Sequence, residues 1–412
     1  MRIWFINHYA VPIQYYPLAR TTNFAKYLMR AGHEVKIFCA SSVHNSDLNL
    51  IDDGALCKEE TVDGISYVYV RVRSYKTKMQ RVLNMLDFAW NLKSVCDRYE
   101  KPDVIVASSQ TPFACMRALR MAKQMGAKSI MEVTDLWPES IASVGMLSGS
   151  NPIFIPMYWF EKTMYECADE IIFSMEGAYR YIQDRGWEKE IPQSKVHYIN
   201  NGVDLENFDC NRQQYMLQDE DIRNKGIYKI IYTGSIRLAN DVGRLLDIAK
   251  HVKNPKVKFL IWGKGDELQH LKDRAVNEHI SNVVFKGYID KRFVPYVTSC
   301  ANLNIAHYAF SSRSVLRYGI SFNKMFDYMA AGKPILTDFP CKYNPSVQCD
   351  AGVDVESADP VTVAEAIDRF VLIDQIAYDR YCHNARRGAE QYDFANLTEE
   401  LLKIMTKSNT KS

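Results

Sequence analysis

Ser321-Phe322-Asn323-Lys324-Met325-Phe326-Asp327-Tyr328-Met329-Ala330-Ala331-Gly332-Lys333-Pro334-Ile335-Leu336 is the stretch that decides the fold. It reads as loop, short helix, glycine stop and buried strand. Asn323 and Lys324 fall where the helix begins, and free N–H groups at the positive dipole end suit an anion. Asp327 follows three residues after Lys324, so the spacing predicts one shared face. Gly332 ends the helix, and Pro334 opens the apolar strand behind it. Two readings fit. A diphosphate rests on the helix start while Asp327 accepts hydrogen bonds from a ribose, or the block is an ordinary αβ connection. The rest of the chain decides between them.

A chain of 412 residues exceeds one typical domain, so two or three are expected. Its hydrophobic fraction of 47% suits sizeable cores. The net charge of +2 argues against a nucleic-acid binder, which carries a basic excess. The 10 cysteines are scattered without CxxC or zinc spacing, as expected of reduced thiols in a cytoplasmic protein. Met1-Arg2-Ile3-Trp4-Phe5-Ile6 is too short for a signal peptide and reads as a first buried strand. No apolar stretch reaches the ~18 residues needed to cross a bilayer. The expectation is a protein that is soluble or held on one membrane face.

Apolar runs alternate with amphipathic segments, the pattern of parallel sheets covered by helices. In the first half, strands are expected at Ile3–Ile6, Val35–Ala40, Ile65–Val72, Val104–Ala107, Ser129–Val133, Glu170–Phe173 and Val196–Ile199. Helices are expected at Leu18–Ala31, Pro112–Met125 and Tyr158–Ala168. In the second half, strands are expected at Tyr228–Tyr232, Val257–Ile261, Val283–Phe285, Leu303–Ile305 and Pro334–Thr337. Helices at Val242–Val252 and Glu267–Ala275 follow. The fold class is therefore α/β, with two doubly wound Rossmann-like domains facing across a cleft. Asn200-Asn201-Gly202-Val203-Asp204 is a turn cluster near the boundary. The division expected is 1–205, 206–385 and a helical tail over 386–412. Ligands of such sheets bind outside the carboxyl ends of the strands.

Several glycine loops fall at that edge of the second half. Strand Tyr228–Tyr232 runs into Thr233-Gly234-Ser235-Ile236-Arg237, where Gly234 admits close approach and Ser235 and Arg237 offer donors to phosphate. Ile261-Trp262-Gly263-Lys264-Gly265-Asp266 repeats the pattern, with Lys264 facing a phosphate and Asp266 capping the next helix. Lys286-Gly287-Tyr288 follows a third strand and suits a base pocket lined by backbone. Alone, each is an ordinary loop. Together at one sheet edge they point to a bound nucleotide.

These elements, with Thr134-Asp135-Leu136-Trp137-Pro138-Glu139 and Asn201-Gly202-Val203-Asp204, resemble the retaining family 4 glycosyltransferases of the GT-B fold. The resemblance covers nearly the whole chain. It is nearest to the branch that builds bacterial surface polysaccharides, capsule or O-antigen, with N-acetyl-fucosamine-type sugars. It implies a nucleotide sugar, UDP-linked, bound by the second domain through Gly234, Ser235, Gly263, Lys264, Gly287, Ser321, Asn323 and Asp327. Arg237 and Lys324 would stabilise the departing diphosphate. Two departures stand out. The family signature has two glutamates with seven residues between them; Asp327 stands at the second position and Gly319 at the first. The family's phosphate-binding lysine is also absent, with Val242 and Gly243 in its region.

In the first domain, Asp135 follows a strand and suits holding or deprotonating an acceptor hydroxyl, or else capping a helix begun at Pro138. Glu139 is a second acceptor candidate, or a residue complementing the helix dipole. His8, Tyr15 and Arg20 are further acceptor candidates beside the first strand and helix. Their alternatives are a structural histidine, a ring packed under a loop and a surface arginine. Residues 71–92 join five cations, Arg71, Arg73, Lys76, Lys78 and Arg81, to an apolar run ending at Trp90 and Leu92. They read as a basic helix on the cytoplasmic membrane face or as a helix packed on the sheet. Asp219-Glu220-Asp221 matches a DxD metal motif but sits in a polar segment, so solvated charge is expected and no metal. The expected activity is hexosyl transfer to a lipid-diphosphate-linked sugar. A UDP-N-acetylhexosamine 2-epimerase of the same fold and a non-catalytic nucleotide-sugar-binding assembly protein are the alternatives.

Overall fold

A computed structural model describes residues 1–16, 19–143, 151–309 and 313–407. Pro17 and Leu18, the latter expected to open the first helix, lie outside the described residues. The chain divides into two compact units. One holds residues 1–142, 151–200 and 394–407; the other holds 201–393.

The first unit is built on eight strands: β1 (Arg2–Ile6), β2 (Glu34–Ala40), β3 (Cys57–Val62), β4 (Ile65–Val70), β5 (Val104–Ser108), β6 (Lys128–Val133), β7 (Glu170–Phe173) and β8 (Val196–Tyr198). Their order is β3-β4-β2-β1-β5-β6-β7-β8. All pairs are parallel except β3 with β4, a hairpin turned at Asp63-Gly64. β1 and β5 read as near-continuous apolar runs, as expected of strands buried on both faces, whereas β6 is buried from Ser129 to Val133 although it carries Ser129 and Glu132.

Five helices of this unit matter below: α1 (Arg20–Arg30), α2 (Lys78–Cys96), α3 (Pro112–Met125), α4 (Glu139–Ser143) and α5 (Phe154–Cys167). α2 starts in a capping box, Thr77 with Gln80. α3 has Pro112 in its first turn and stops at Gly126, whose φ of 74° suits a residue without Cβ.

The second unit has six parallel strands: β9 (Tyr228–Thr233), β10 (Val257–Trp262), β11 (Val283–Gly287), β12 (Leu303–Ala306), β13 (Ile335–Thr337) and β14 (Gly352–Asp354). Their order is β11-β10-β9-β12-β13-β14. The order reverses beside β9, the switch point at which doubly wound sheets bind ligands. The expected fold class of two Rossmann-like α/β sheets is what the chain adopts.

The C-terminal segment differs from the tail expected over 386–412. The Gln375–Gln391 helix lies in the second unit. The Phe394–Thr406 helix instead buries Phe394, Leu397, Leu401 and Ile404 in the core of the first, where Phe394 meets Phe24 of α1 edge-on at 5.2 Å. Its apolar stripe supplies the reason, since an isolated helix would leave it in water. The division falls between residues 200 and 201 rather than after 205.

Candidate active site

In the second unit, the carboxyl ends of β9, β10 and β11 and the start of the Asn323–Ala330 helix assemble one constellation. The loops after the strands are stitched together by backbone. The Gly234 N–H donates to the Trp262 carbonyl at 3.0 Å, Ile236 N–H to Lys264 at 3.0 Å, and Gly263 N–H to Gly287 at 2.8 Å. A Cβ at Gly263 would lie 1.9 Å from the Gly234 oxygen, and one at Gly265 would lie 1.9 Å from the Ile236 oxygen. These glycines let one loop lie against the next. The Gly234 and Gly263 amides expected for a ligand are thus already engaged. Ser235, Arg237 and Lys264 remain exposed at the loop edges, with Lys264 Nζ 4.5 Å above the Tyr288 ring.

The Asn323–Ala330 helix meets this edge through two tyrosines. Lys324 Nζ donates to the Tyr232 hydroxyl at 3.1 Å and lies 4.4 Å from the ring centroid. Tyr328 reaches back, its hydroxyl accepting the Thr233 N–H at 2.8 Å. Phe322 precedes the helix with no side-chain cap bond, and Asn323 is exposed, so the first turn keeps donors for a ligand. Lys324 has no ion-pair partner among the described residues. Burial lowers its pKa, while the charge of Asp338 opposes that shift.

Asp327 is half-buried, and burial raises its carboxyl, with Lys291 as the opposing charge. Lys324 and Asp327 therefore have different charged neighbours and form no ion pair, although the sequence spacing predicts one shared face. Ser321 is held by Asn201, whose Nδ2 donates to Ser321 Oγ at 3.0 Å. Gly319 has a φ of 118°, so the backbone itself disfavours the glutamate that the family signature places there.

Behind Lys324 lies a charged group that the sequence reading did not single out. His307 and Asp338 follow β12 and β13 and are fully buried. His307 Nδ1 is 2.6 Å from Asp338 Oδ2, and Nε2 is 2.9 Å from the Asp241 carbonyl. A carbonyl only accepts, so Nε2 carries a hydrogen and another proton lies between Nδ1 and Asp338. Arg244 Nε approaches Asp338 Oδ2 at 3.9 Å. Each residue is a single letter at a strand end or helix start, so only tertiary neighbours reveal the group.

Three other expectations change here. Asp266 does not cap the Leu268–Asn277 helix, which has no side-chain cap bond. Of the Asp219-Glu220-Asp221 charges, Glu220 is exposed as expected, but the two aspartates are half-buried and paired. Asp219 caps the Glu220–Arg223 helix, and Lys286 pairs with Asp219 at 2.8 Å and Asp221 at 2.6 Å. Among the described residues, no group of three or more metal-ligating side chains gathers.

In the first unit, Asp135 is exposed and makes no hydrogen bond among the described residues, so it does not cap a helix. Surrounding protein pushes its carboxyl up to about 6, an effect that water on its open side moderates. The other acceptor candidates are engaged internally. Arg20 is buried, its Nε 2.8 Å from Glu132 Oε1 and its Nη2 donating to the Ile199 carbonyl at 2.9 Å. It is a core arginine rather than a phosphate ligand.

His8 is buried against Tyr9 and Phe88, which hold it neutral with a pKa lowered by burial to about 3. Tyr15 packs on the core, and Glu139 accepts a hydrogen bond from Tyr158 at 2.6 Å. Buried backbone carbonyls hold Arg20 and aromatic rings enclose His8, while Tyr15 and Glu139 are half-buried. α2 is a packed domain helix, burying Phe88, Leu92 and Val95. Of the cations before and within it, Arg73 pairs with Asp87 at 2.6 Å and Arg81 donates to the Tyr9 hydroxyl at 2.8 Å. Fewer than five charges are thus free for a membrane.

Two non-overlapping family models match in succession: Glycosyltransferase Family 4 over residues 19–207 and Glycosyl transferases group 1 over 227–372. WbjE of Pseudomonas aeruginosa, which carries a glycosyltransferase name, is 20% identical over 70% of this chain and 70% of its own. WcaI of Escherichia coli K12, named for colanic acid biosynthesis, is 20% identical over 64% of this chain and 66% of its own. Among solved structures, sucrose-phosphate synthase of Thermosynechococcus elongatus superposes with a TM-score of 0.72 at 16% identity, covering 98% of both chains. HepE of Anabaena in complex with UDP gives 0.66 at 13% identity, covering 98% of this chain and 100% of its own.

The fold, the loop edge and these matches define a glycosyltransferase of the GT-B class. Within that class the chain is family 4-like, with relatives among enzymes of bacterial polysaccharide synthesis.

Proposed function

We propose that the chain transfers a hexosyl or N-acetylaminosugar unit from a UDP-linked sugar to a lipid-diphosphate-linked sugar, with retention and without a metal. The reaction serves bacterial surface polysaccharide synthesis on the cytoplasmic membrane face, which residues 71–92 approach. The observation carrying this reading is the Lys324 ammonium, fixed on Tyr232 beside the glycine loops and in no ion pair among the described residues. Such a cation is available to a diphosphate. UDP in the structurally similar HepE supports the choice of nucleotide.

In the reaction, the bond from the anomeric carbon to the diphosphate oxygen breaks. A bond to the acceptor hydroxyl forms on the same face, and the hydroxyl proton passes to the departing diphosphate. Lys324, Arg237 and the N–H groups at Asn323 stabilise the charge that develops there. Asp327 accepts from the ribose, and Asp135 orients the acceptor hydroxyl. Gly234, Ser235, Gly263, Lys264, Gly287 and Ser321 shape the donor pocket.

The test is a thermal-shift screen of nucleotide sugars, because a bound donor stabilises by mass action. Transfer to a lipid-diphosphate sugar is then followed by mass. A UDP-sugar that stabilises the protein and is consumed with acceptor supports the reading. Release of UDP from UDP-N-acetylhexosamine without acceptor indicates the 2-epimerase. Binding without turnover on any acceptor indicates the non-catalytic assembly protein.

A further inference from the structure

The buried pair of His307 and Asp338 takes no part in the proposed reaction, yet it reaches the loop that carries Arg237. That loop leaves β9, turns through Leu238–Asn240 and enters the Gly243–His251 helix. Two backbone bonds close the turn: the Asn240 N–H donates to the Arg237 carbonyl at 2.9 Å, and the Asp241 N–H to the Leu238 carbonyl at 3.1 Å. Asp241 ends it in the left-handed conformation, with φ 49° and ψ 41°, which costs free energy in a residue with a Cβ. Its carbonyl accepts the Arg244 N–H at 3.1 Å from the same segment. His307 brings a second donor to that carbonyl, Nε2 at 2.9 Å, from 66 residues along the chain. Asp338 Oδ2 holds the other ring nitrogen at 2.6 Å and so turns the imidazole toward Asp241.

Stability alone is a poor reason for this pair. Both side chains are fully removed from water, and Asp338 Oδ1 has no hydrogen-bond partner among the described residues. A buried pair of this kind is commonly no more stable than apolar residues of similar size. A task of orientation fits it better. Arg237 stands four residues before Asp241, exposed, and its guanidinium forms no ion pair among the described residues. A long side chain loses freedom when it meets a ligand, and it loses less when the backbone beneath it is already fixed.

We infer that His307, oriented by Asp338, is a positioning residue that pins the Arg237 loop, so that the Arg237 guanidinium is held where the diphosphate of the nucleotide arrives. The inference rests on the reading of Arg237 as a ligand of that diphosphate. His307 acts through the loop and not on the substrate, since its ring is fully buried.

The test compares UDP with uridine by calorimetry, uridine being read by displacement of UDP. The ratio of the two affinities isolates the diphosphate. Arg237→Ala should lower the ratio at least about tenfold, as expected for losing charge-assisted bonds. Two double variants share Asp338→Asn and differ only at residue 307. With His307→Gln, an amide N–H still reaches the Asp241 carbonyl and the amide oxygen accepts from the new asparagine, so the ratio should recover to that of wild type. With His307→Leu the donor is gone, and the ratio should fall at least about threefold, the cost of ordering an arginine no longer held in place. Added to Arg237→Ala, the His307→Leu, Asp338→Asn pair should lower the ratio no further, because residues acting through one contact are not additive. Unchanged uridine affinity shows each variant to be folded.

Equal ratios in the two double variants overturn the inference, and so does a further fall when the leucine variant is added to Arg237→Ala. A leucine variant that loses uridine together with UDP marks His307 as a residue of the fold and also overturns it. In these cases a loss in Arg237→Ala alone keeps the reading of Arg237. A wild-type ratio in Arg237→Ala removes Arg237 from the donor site, and the role of His307 falls with it.

Discussion

Lys324 reaches the Tyr232 hydroxyl at 3.1 Å and rests on the same ring at 4.4 Å from its centroid. Two attractions of different kind thus fix one ammonium, a hydrogen bond and a cation–π contact. Tyr232 also donates to the Ser235 carbonyl at 3.2 Å, so the glycine loop and the lysine share one anchor. Tyr232→Phe keeps the ring and removes the hydroxyl. It should lower turnover about tenfold, as expected for a hydrogen bond to a charged group, with a smaller change in KM for the donor. Lys324→Ala should cost about 10²-fold or more in turnover. Steady-state kinetics on the two folded variants check this; wild-type turnover in either removes that residue from the machinery.

Gly265 is a steric requirement. An added Cβ would meet the Ile236 carbonyl oxygen at 1.9 Å, so the loop after β10 must move away from the loop after β9. Gly265→Ala should destabilise by roughly 1–3 kcal/mol, as overpacking does, and weaken nucleotide binding together with stability. Chemical unfolding read beside UDP affinity tests it. An unchanged midpoint and affinity would show that the two loops separate freely.

Arg20 belongs to the core of the first unit. Arg20→Ala leaves Glu132 buried without its partner and should cost about 3–5 kcal/mol. Urea unfolding measures the loss. A variant of wild-type stability with a raised acceptor KM would restore the acceptor role.

Glu161 on α5 gives a pH signature. It is fully buried, and its two oxygens accept from Tyr165 and Tyr181 at 2.7 Å. Burial outweighs these bonds and raises its pKa from 4.5 to about 8. Between those values the folded carboxyl keeps a proton that the unfolded chain has released. Its contribution to stability is therefore present below the unfolded pKa and declines as pH rises through the folded one. The stability of Glu161→Gln relative to wild type should rise from pH 5 to pH 8. Parallel unfolding curves at both pH values would mean that the carboxyl titrates normally.

The sheet positions of the site were legible because buried parallel strands announce themselves as apolar runs. Tyr228–Thr233 and Val257–Trp262 extend the expected strands by one residue each. β3 escaped because its Cys57-Lys58-Glu59-Glu60-Thr61-Val62 is a charged edge strand, although the Asp63-Gly64 turn that follows was a readable hairpin signal. β14 has three residues, too few for a period. The stripe Phe394, Leu397, Leu401, Ile404 was visible as a helix, but its partner surface lies in α1, hundreds of residues away. His307, Asp338 and Tyr232 could not be singled out for the same reason. A histidine after one strand and an aspartate after another become a pair only when the sheet sets them side by side.

On the proposed function, the carboxyl edge of the second unit, from Gly234 to Asp327, receives the diphosphate and ribose of a nucleotide. Titration calorimetry with UDP on wild type, Lys324→Ala and Asp327→Asn tests it most directly. Wild type should bind UDP, Lys324→Ala should bind it at least about tenfold more weakly, and Asp327→Asn should lose roughly 1.5–3 kcal/mol. Equal affinity across the three folded proteins, or no UDP binding by wild type, would contradict it.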